Sequence, residues 1–121
     1  MTKILVIDDS SFMRKYLREA LEELGFVVDE LFPISPLEVV ERIRSGQPDL
    51  VLTDYHMPHV DGNQVARMAR RARPGIPVVV LTSTHDPSLD LTLGKLGVRL
   101  VLHKPMKGEE IVKALQGLVQ A

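Results

Sequence analysis

Four short apolar runs in this chain each stop at a residue able to handle a phosphoryl group. ILVI is followed by Asp8-Asp9, LVLT by Asp54, VVVLT supplies Thr82, and VLH is followed by Lys104-Pro105. Together they offer three carboxylates, a hydroxyl and an ammonium, the donor set of a site for a divalent cation and a phosphoryl group. Carboxylates gathered this closely repel one another. At an effective dielectric near 20, each pair about 4 Å apart costs about 4 kcal/mol, and a bound cation is the direct remedy. Mg²⁺ suits such a place because it takes oxygen ligands, keeps several waters and commonly uses one or two carboxylates plus a substrate phosphate.

Residues so far apart in sequence meet only if the fold brings the ends of the runs together. A parallel sheet with helical crossovers does so, since all its strands end on one edge and ligands bind in the crevice outside that edge. The intervening segments supply the helices. Met13, Leu17, Ala20, Leu21 and Leu24 recur at helical spacing until Gly25. Residues 26–31 read as a second, shorter strand. Ser35-Pro36-Leu37-Glu38 offers an N-cap, a proline at the first helical position and a capping-box glutamate, opening a helix to about Ser45. Strand 49–54 follows, then an acidic cap at Asp61 with Gln64 three residues on. That helix runs through Val65, Met68, Ala69 and Ala72 and stops before Pro74-Gly75. Strand 76–81, a helix from Asp86-Pro87 through Leu89, Leu93 and Leu96, strand 98–102, and a last helix marked by Ile111, Ala114, Leu115 and Leu118 complete the series. Gly94 weakens its helix by about 1 kcal/mol relative to Ala. Five strands alternating with five helices imply an α/β fold, a parallel sheet covered on both faces with right-handed crossovers.

With 121 residues, the expectation is one domain spanning 1–121, large enough to bury a real core. The last helix ends at the chain end, which is read as leaving no room for an output module. A net charge of -1 gives no global attraction to nucleic acid or to an anionic membrane. Neither is expected as a direct partner. The sequence has no cysteine, hence no disulfide or thiol chemistry. Neither a signal peptide nor a membrane-length apolar stretch is visible, so a cytoplasmic location is the default. Arg67, Arg70, Arg71 and Arg73 form the one basic cluster and are expected to be a solvated helix end favoured by the macrodipole.

The acidic pair Asp8-Asp9, the segment Asp54-Tyr55-His56-Met57-Pro58-His59-Val60-Asp61-Gly62 (a D-x-x-M-P-x-x-D-G pattern), Thr82 and Lys104-Pro105 stand in one order and spacing from residue 4 to the last helix. On these the chain resembles a response-regulator receiver domain of the single-domain, chemotaxis type. The resemblance implies the doubly wound (βα)5 flavodoxin-like three-layer sandwich with strand order 2-1-3-4-5. It implies phosphorylation of Asp54 by a sensor histidine kinase or phosphotransfer protein. It also implies Mg²⁺ on Asp9, Asp54 and the His56 carbonyl, with Asp8 holding ligand waters. Lys104 would neutralise the phosphoryl group and pair with Asp54, and its bond to Pro105 would be cis. Thr82 would meet a phosphoryl oxygen, with the small Ser83 leaving room, and its movement would carry the signal. Partner binding on the face of the fourth helix, fifth strand and fifth helix would be the output. That face would include Lys95, Arg99, Val101, Lys107 and Lys113, whose charge suits an acidic partner. His56 and Thr84 would flank the path of the hydrolytic water. Phosphoryl uptake and slow loss would be autocatalytic, so whether to call the protein an enzyme is a matter of definition.

Simpler roles exist for each residue: an acidic helix cap at Asp8-Asp9, a β-branched strand end at Thr82, a surface lysine at 104. The chain also departs from the family. Three residues before Lys104, where many receivers carry an aromatic, stands Val101, and Met106 follows Lys-Pro where Phe is commoner. The output change is therefore expected in the loop after Thr82 and the helix from Leu89 to Lys95. His56-x-x-His59, with His85 nearby, has a spacing that can bind zinc, but no cysteine accompanies it and a proline interrupts it. Adventitious binding of Ni, Cu or Zn by imidazole is the more plausible event. Two other classes compete: a receiver-fold module that binds partners without phosphate, and an aspartyl-nucleophile phosphohydrolase of the haloacid-dehalogenase type. The latter places D-x-D after the first strand, whereas here the aspartates are adjacent.

Overall fold

A computed structural model describes residues 2–119; residues 1, 120 and 121 of the expected 1–121 domain lie outside that range. The elements alternate as β1 (Lys3–Ile7), α1 (Ser11–Glu23), β2 (Val27–Leu31), α2 (Pro36–Gly46), β3 (Leu50–Asp54), α3 (Gly62–Ala72), β4 (Val78–Thr82), α4 (Pro87–Lys95), β5 (Val98–His103) and α5 (Gly108–Val119). The strands form one parallel sheet in the order β2-β1-β3-β4-β5. The flavodoxin-like order implied by the resemblance is therefore the one observed.

Side chains of a strand alternate between the two faces, so each central strand feeds two cores. Leu5 and Ile7 of β1 join Val39, Ile43, Val65, Ala69 and Leu93 from α2, α3 and α4. Ile4 and Val6 join Leu17, Leu21, Ile111, Val112 and Leu115 from α1 and α5. Both layers are closely filled, and β3 and β4 are buried along their whole length.

Helix starts follow the capping residues. Asp61 Oδ1 accepts from Gln64 N–H at 2.9 Å while Gln64 Oε1 accepts from Asp61 N–H at 3.0 Å. Asp86 accepts from Ser88 N–H at 2.9 Å. At α1 the cap is Ser10, whose hydroxyl accepts from Met13 N–H, and not either aspartate. On the outer side of α1 the ring of Tyr16 lies directly against the backbone of Gly108. A Cβ at that glycine would sit 2.2 Å from Tyr16 Cε2, so the two helices lock where α5 begins.

The basic cluster divides. Arg67, Arg70 and Arg71 are exposed, as expected, but the Arg73 guanidinium donates to the Pro48 carbonyl and ties the end of α3 to the approach of β3.

Candidate functional site

The strand register assembles the site. Asp54 ends β3 opposite Leu81, Thr82 is one residue further along β4, and His103 of β5 pairs with Thr82. Asp8 follows β1 directly and is buried, and Asp9 beside it is exposed. Oxygen atoms of Asp8, Asp9 and Asp54 lie within 4.8 Å of one another, the only such metal-competent group among the described residues. Lys104 Nζ donates to Asp54 Oδ1 at 3.0 Å. The pair is asymmetric, with the Asp54 side chain 10% exposed and that of Lys104 33%.

The turn after β1 explains how Asp8 is held. Its Oδ1 accepts from Ser10 N–H at 2.8 Å, and its own N–H donates to Leu31 O. Burial pushes the Asp8 carboxyl up to about 6, the Ser10 bond opposes that rise, and the neighbouring Asp54 charge adds to it. Three hard oxygen donors facing one ammonium are a charge deficit that a divalent cation fits.

The loop after β3 closes on itself. Gly62 N–H donates to Tyr55 O at 2.9 Å, and a Cβ at Gly62 would stand 2.5 Å from Tyr55 Cδ2, so only glycine permits this approach. Asp54 Oδ1 also accepts from Tyr55 N–H at 3.0 Å, which fixes the carboxylate plane.

Thr82 is fully buried, and its hydroxyl oxygen accepts from Thr84 N–H at 3.0 Å. A hydroxyl has one proton to donate, so this bond leaves it free for another acceptor. Lys104 N–H donates to Thr82 O at 2.8 Å, joining these two sequence-expected site residues at the ends of β4 and β5. The Lys104–Pro105 peptide is cis, as the resemblance implied.

The structure thus brings Asp8, Asp9, Asp54 and Lys104 into contact or near contact, with Thr82 beside them in the sheet. The histidines go elsewhere. His56 Nε2 lies 3.0 Å from Thr84 Oγ1, whereas His59 packs on Phe32 with ring centroids 6.3 Å apart, so the HxxH spacing does not form a metal group among the described residues. Sequence reasoning missed a second cluster, in which His85 and His103 stack at 4.9 Å and His103 meets Asp90. Strand alternation held the signal, because His103 lies two residues beyond Val101 and so on the same face of β5. The expected output face is also less uniform than its charges suggested. Lys95 and Arg99 line a concavity with Arg70, while Lys113 lines a groove beside Glu19, Glu23 and Glu109.

Among the described residues no helix is long and apolar enough to cross a membrane. Residues 4–116 match the family model described as the response regulator receiver domain. The chain is 25% identical over 114 residues to the chemotaxis protein CheY of Bacillus subtilis, covering 93% of each chain. A stretch of 63 residues is 40% identical to protein-glutamate methylesterase/protein-glutamine glutaminase 3 of Rhodospirillum rubrum. The matched stretches span 16% and 17% of the lengths of two such methylesterases and 48% of the chemotaxis protein CheY of Halobacterium salinarum. The crystal structure of a response regulator receiver domain protein from Clostridium thermocellum superposes with a TM-score of 0.85 at 27% identity, over 99% of this chain and 95% of that one. With the acidic cluster, the paired lysine and this sheet order on one edge, the chain belongs to the response regulator receiver domain family, of the CheY-like kind.

Proposed function

We propose that residues 1–121 act as one receiver module of a phosphorelay, in which Asp54 accepts a phosphoryl group from a sensor histidine kinase or phosphotransfer protein. The observation that carries this reading is the Lys104–Asp54 contact at 3.0 Å inside a cluster of three carboxylates. Asp9, Asp54 and the His56 carbonyl are the residues that would hold Mg²⁺, with Asp8 holding its ligand waters. When bound, the ion supplies positive charge to the phosphoryl oxygens.

The chain's own residues do the rest. An oxygen of the Asp54 carboxylate attacks phosphorus, the P–N bond of the donor phosphohistidine breaks, and its electron pair stays on the imidazole nitrogen. Such transfer depends on positioning and electrostatics, and the Lys104 ammonium meets the growing negative charge as a compact point charge. The free proton of Thr82 donates to a phosphoryl oxygen, a charge-assisted bond worth roughly 1.5–3 kcal/mol. That is enough to tilt a two-state equilibrium about tenfold or more without completing it. The loop after Thr82 and the helix Leu89–Lys95 carry the change to a protein partner at the α4-β5-α5 face.

Intact-mass measurement after incubation with Mg²⁺ and a small acyl phosphate tests the reading. The expected result is one labile phosphoryl group on the wild type and none on Asp54→Asn. No gain on a folded wild type would overturn it in favour of a receiver-fold module that works without phosphate.

A further inference from the structure

The β4–α4 loop is pinned to the end of β5 by two stacked imidazoles working in opposite directions. His85, in the loop, has Nε2 at 3.1 Å from the Lys104 carbonyl, and His103, on β5, has Nδ1 at 3.1 Å from the Thr84 carbonyl. His103 Nε2 lies 2.9 Å from Asp90 Oδ2 on α4. The rings stack at 4.9 Å with 24° between their planes.

Both partners of His103 are acceptors. A neutral imidazole has one N–H and one lone pair, so it can satisfy only one of them; a ring carrying two protons satisfies both. A second proton on the ring meets both acceptors at once and sets a positive charge against the Asp90 carboxylate. Asp90 needs the charge as well. Its Oδ1 is buried with no hydrogen-bond partner, and His103 is the only basic group within 4.0 Å among the described residues. The other groups facing the ring are His85 from the loop, Pro87 and Leu91 from α4, and Lys104 next along β5, whose ammonium is turned to Asp54.

We propose that His103 is a positioning residue whose doubly protonated ring clamps the β4–α4 loop to α4, and so fixes the Thr84 amide that orients the Thr82 hydroxyl. Its role in signalling rests on the reading of Thr82 as the residue that meets the phosphoryl group; the clamp itself is a property of the unphosphorylated chain. The clamp lies two residues beyond Val101 on the same face of β5, where the family's aromatic is missing. It couples the placement of α4 to protonation: as pH rises and the ring loses its second proton, one of the two bonds is lost and the loop is held to α4 less firmly.

Nitrogen-15 NMR of the unphosphorylated protein from about pH 5 to about pH 8, the span in which imidazole exchanges its proton, tests this. The expected result is that amide signals of Thr84 and of Leu89 to Lys95 move together with the His103 ring signals. His103→Gln keeps a donor toward Asp90 and His103→Asn one toward Thr84, and in both the coupled movement is lost. His85→Gln retains it. The proposal is overturned if those amides hold still while the His103 ring titrates, or titrate unchanged in His103→Gln. A parallel mass measurement separates the two readings: wild type that gains no phosphoryl group removes the proposed function, while the ring–amide correlation still decides the clamp.

Discussion

Two charged clusters sit side by side in this protein with opposite charge ratios. Glu30 on β2 is met by two guanidinium groups, Arg14 Nε at 3.3 Å and Arg18 Nε at 2.5 Å. Asp8, Asp9 and Asp54 share one ammonium, that of Lys104. Arg14 touches both clusters, because its other guanidinium arm donates to the backbone carbonyl of Asp8 at 2.6 Å. The first cluster is complete as it stands. It braces α1 against the edge strand, where charged side chains also discourage pairing with another sheet. The second is left short of positive charge by the fold, and the Asp8 carboxyl, raised first by its burial, is pushed further up by the neighbouring Asp54 charge. An ion pair that balances is architecture; one that does not is a place awaiting a ligand.

The largest effect that would break this contrast is expected from Lys104→Ala. Removing the one cation that, among the described residues, is paired with a carboxylate of this cluster should slow phosphoryl uptake by about 10²-fold or more, the scale seen when one charge-stabilising donor is lost from a site. Time-resolved intact mass measures it, and a loss under about threefold would show that the lysine is only structural.

Asp8→Asn should act next, in two directions. Asp8 titrates higher in the folded chain than in the unfolded one, so the folded state holds the extra proton between about pH 4 and about pH 6. In chelator, wild-type stability should therefore fall as pH rises through that window and level off above it. The variant should flatten this slope and gain on the order of 2–3 kcal/mol at neutral pH. It should also bind Mg²⁺ more weakly. Urea unfolding at several pH values checks the first effect, and Mg²⁺ titration calorimetry the second.

Arg18→Ala should do least. Glu30 keeps Arg14, the pair is partly exposed, and such bridges are typically worth about 1 kcal/mol or less. Unfolding should shift slightly and phosphoryl uptake not at all. A marked loss of uptake would mean that the balanced cluster also sets the geometry of Asp8.

The fold was legible because its elements announce themselves at their ends. Ser35 with Glu38, and Asp61 with Gln64, begin helices where the capping pattern places them. The apolar strands carry too little polarity to lie anywhere but between helical layers. Strand bounds moved by a residue or two, as at β4, which begins at Val78 rather than Ile76. There Pro77 lacks the N–H a ladder needs, although its carbonyl still accepts from Val51. The acidic site was legible because strand ends converge by topology alone. Of the histidine cluster only the face of His103 was legible, by alternation with Val101; its meeting with His85 depends on how the loop after Thr82 folds back over β5, which no periodicity encodes. For the same reason HxxH spacing misled: His56 turns toward Thr84 and His59 toward Phe32.

The seat of Tyr16 on Gly108 divides the molecule mechanically. α1 leads out of the acidic pair and α5 follows Lys104, so locking these helices together mounts Asp8, Asp9 and Lys104 on one stator. α4 lies on the other face of the sheet, packed through Leu93 into the core that α2 and α3 share, and β4 runs between β3 and β5. Movement that begins at Thr82 therefore need not disturb the seam that ties α1 to α5.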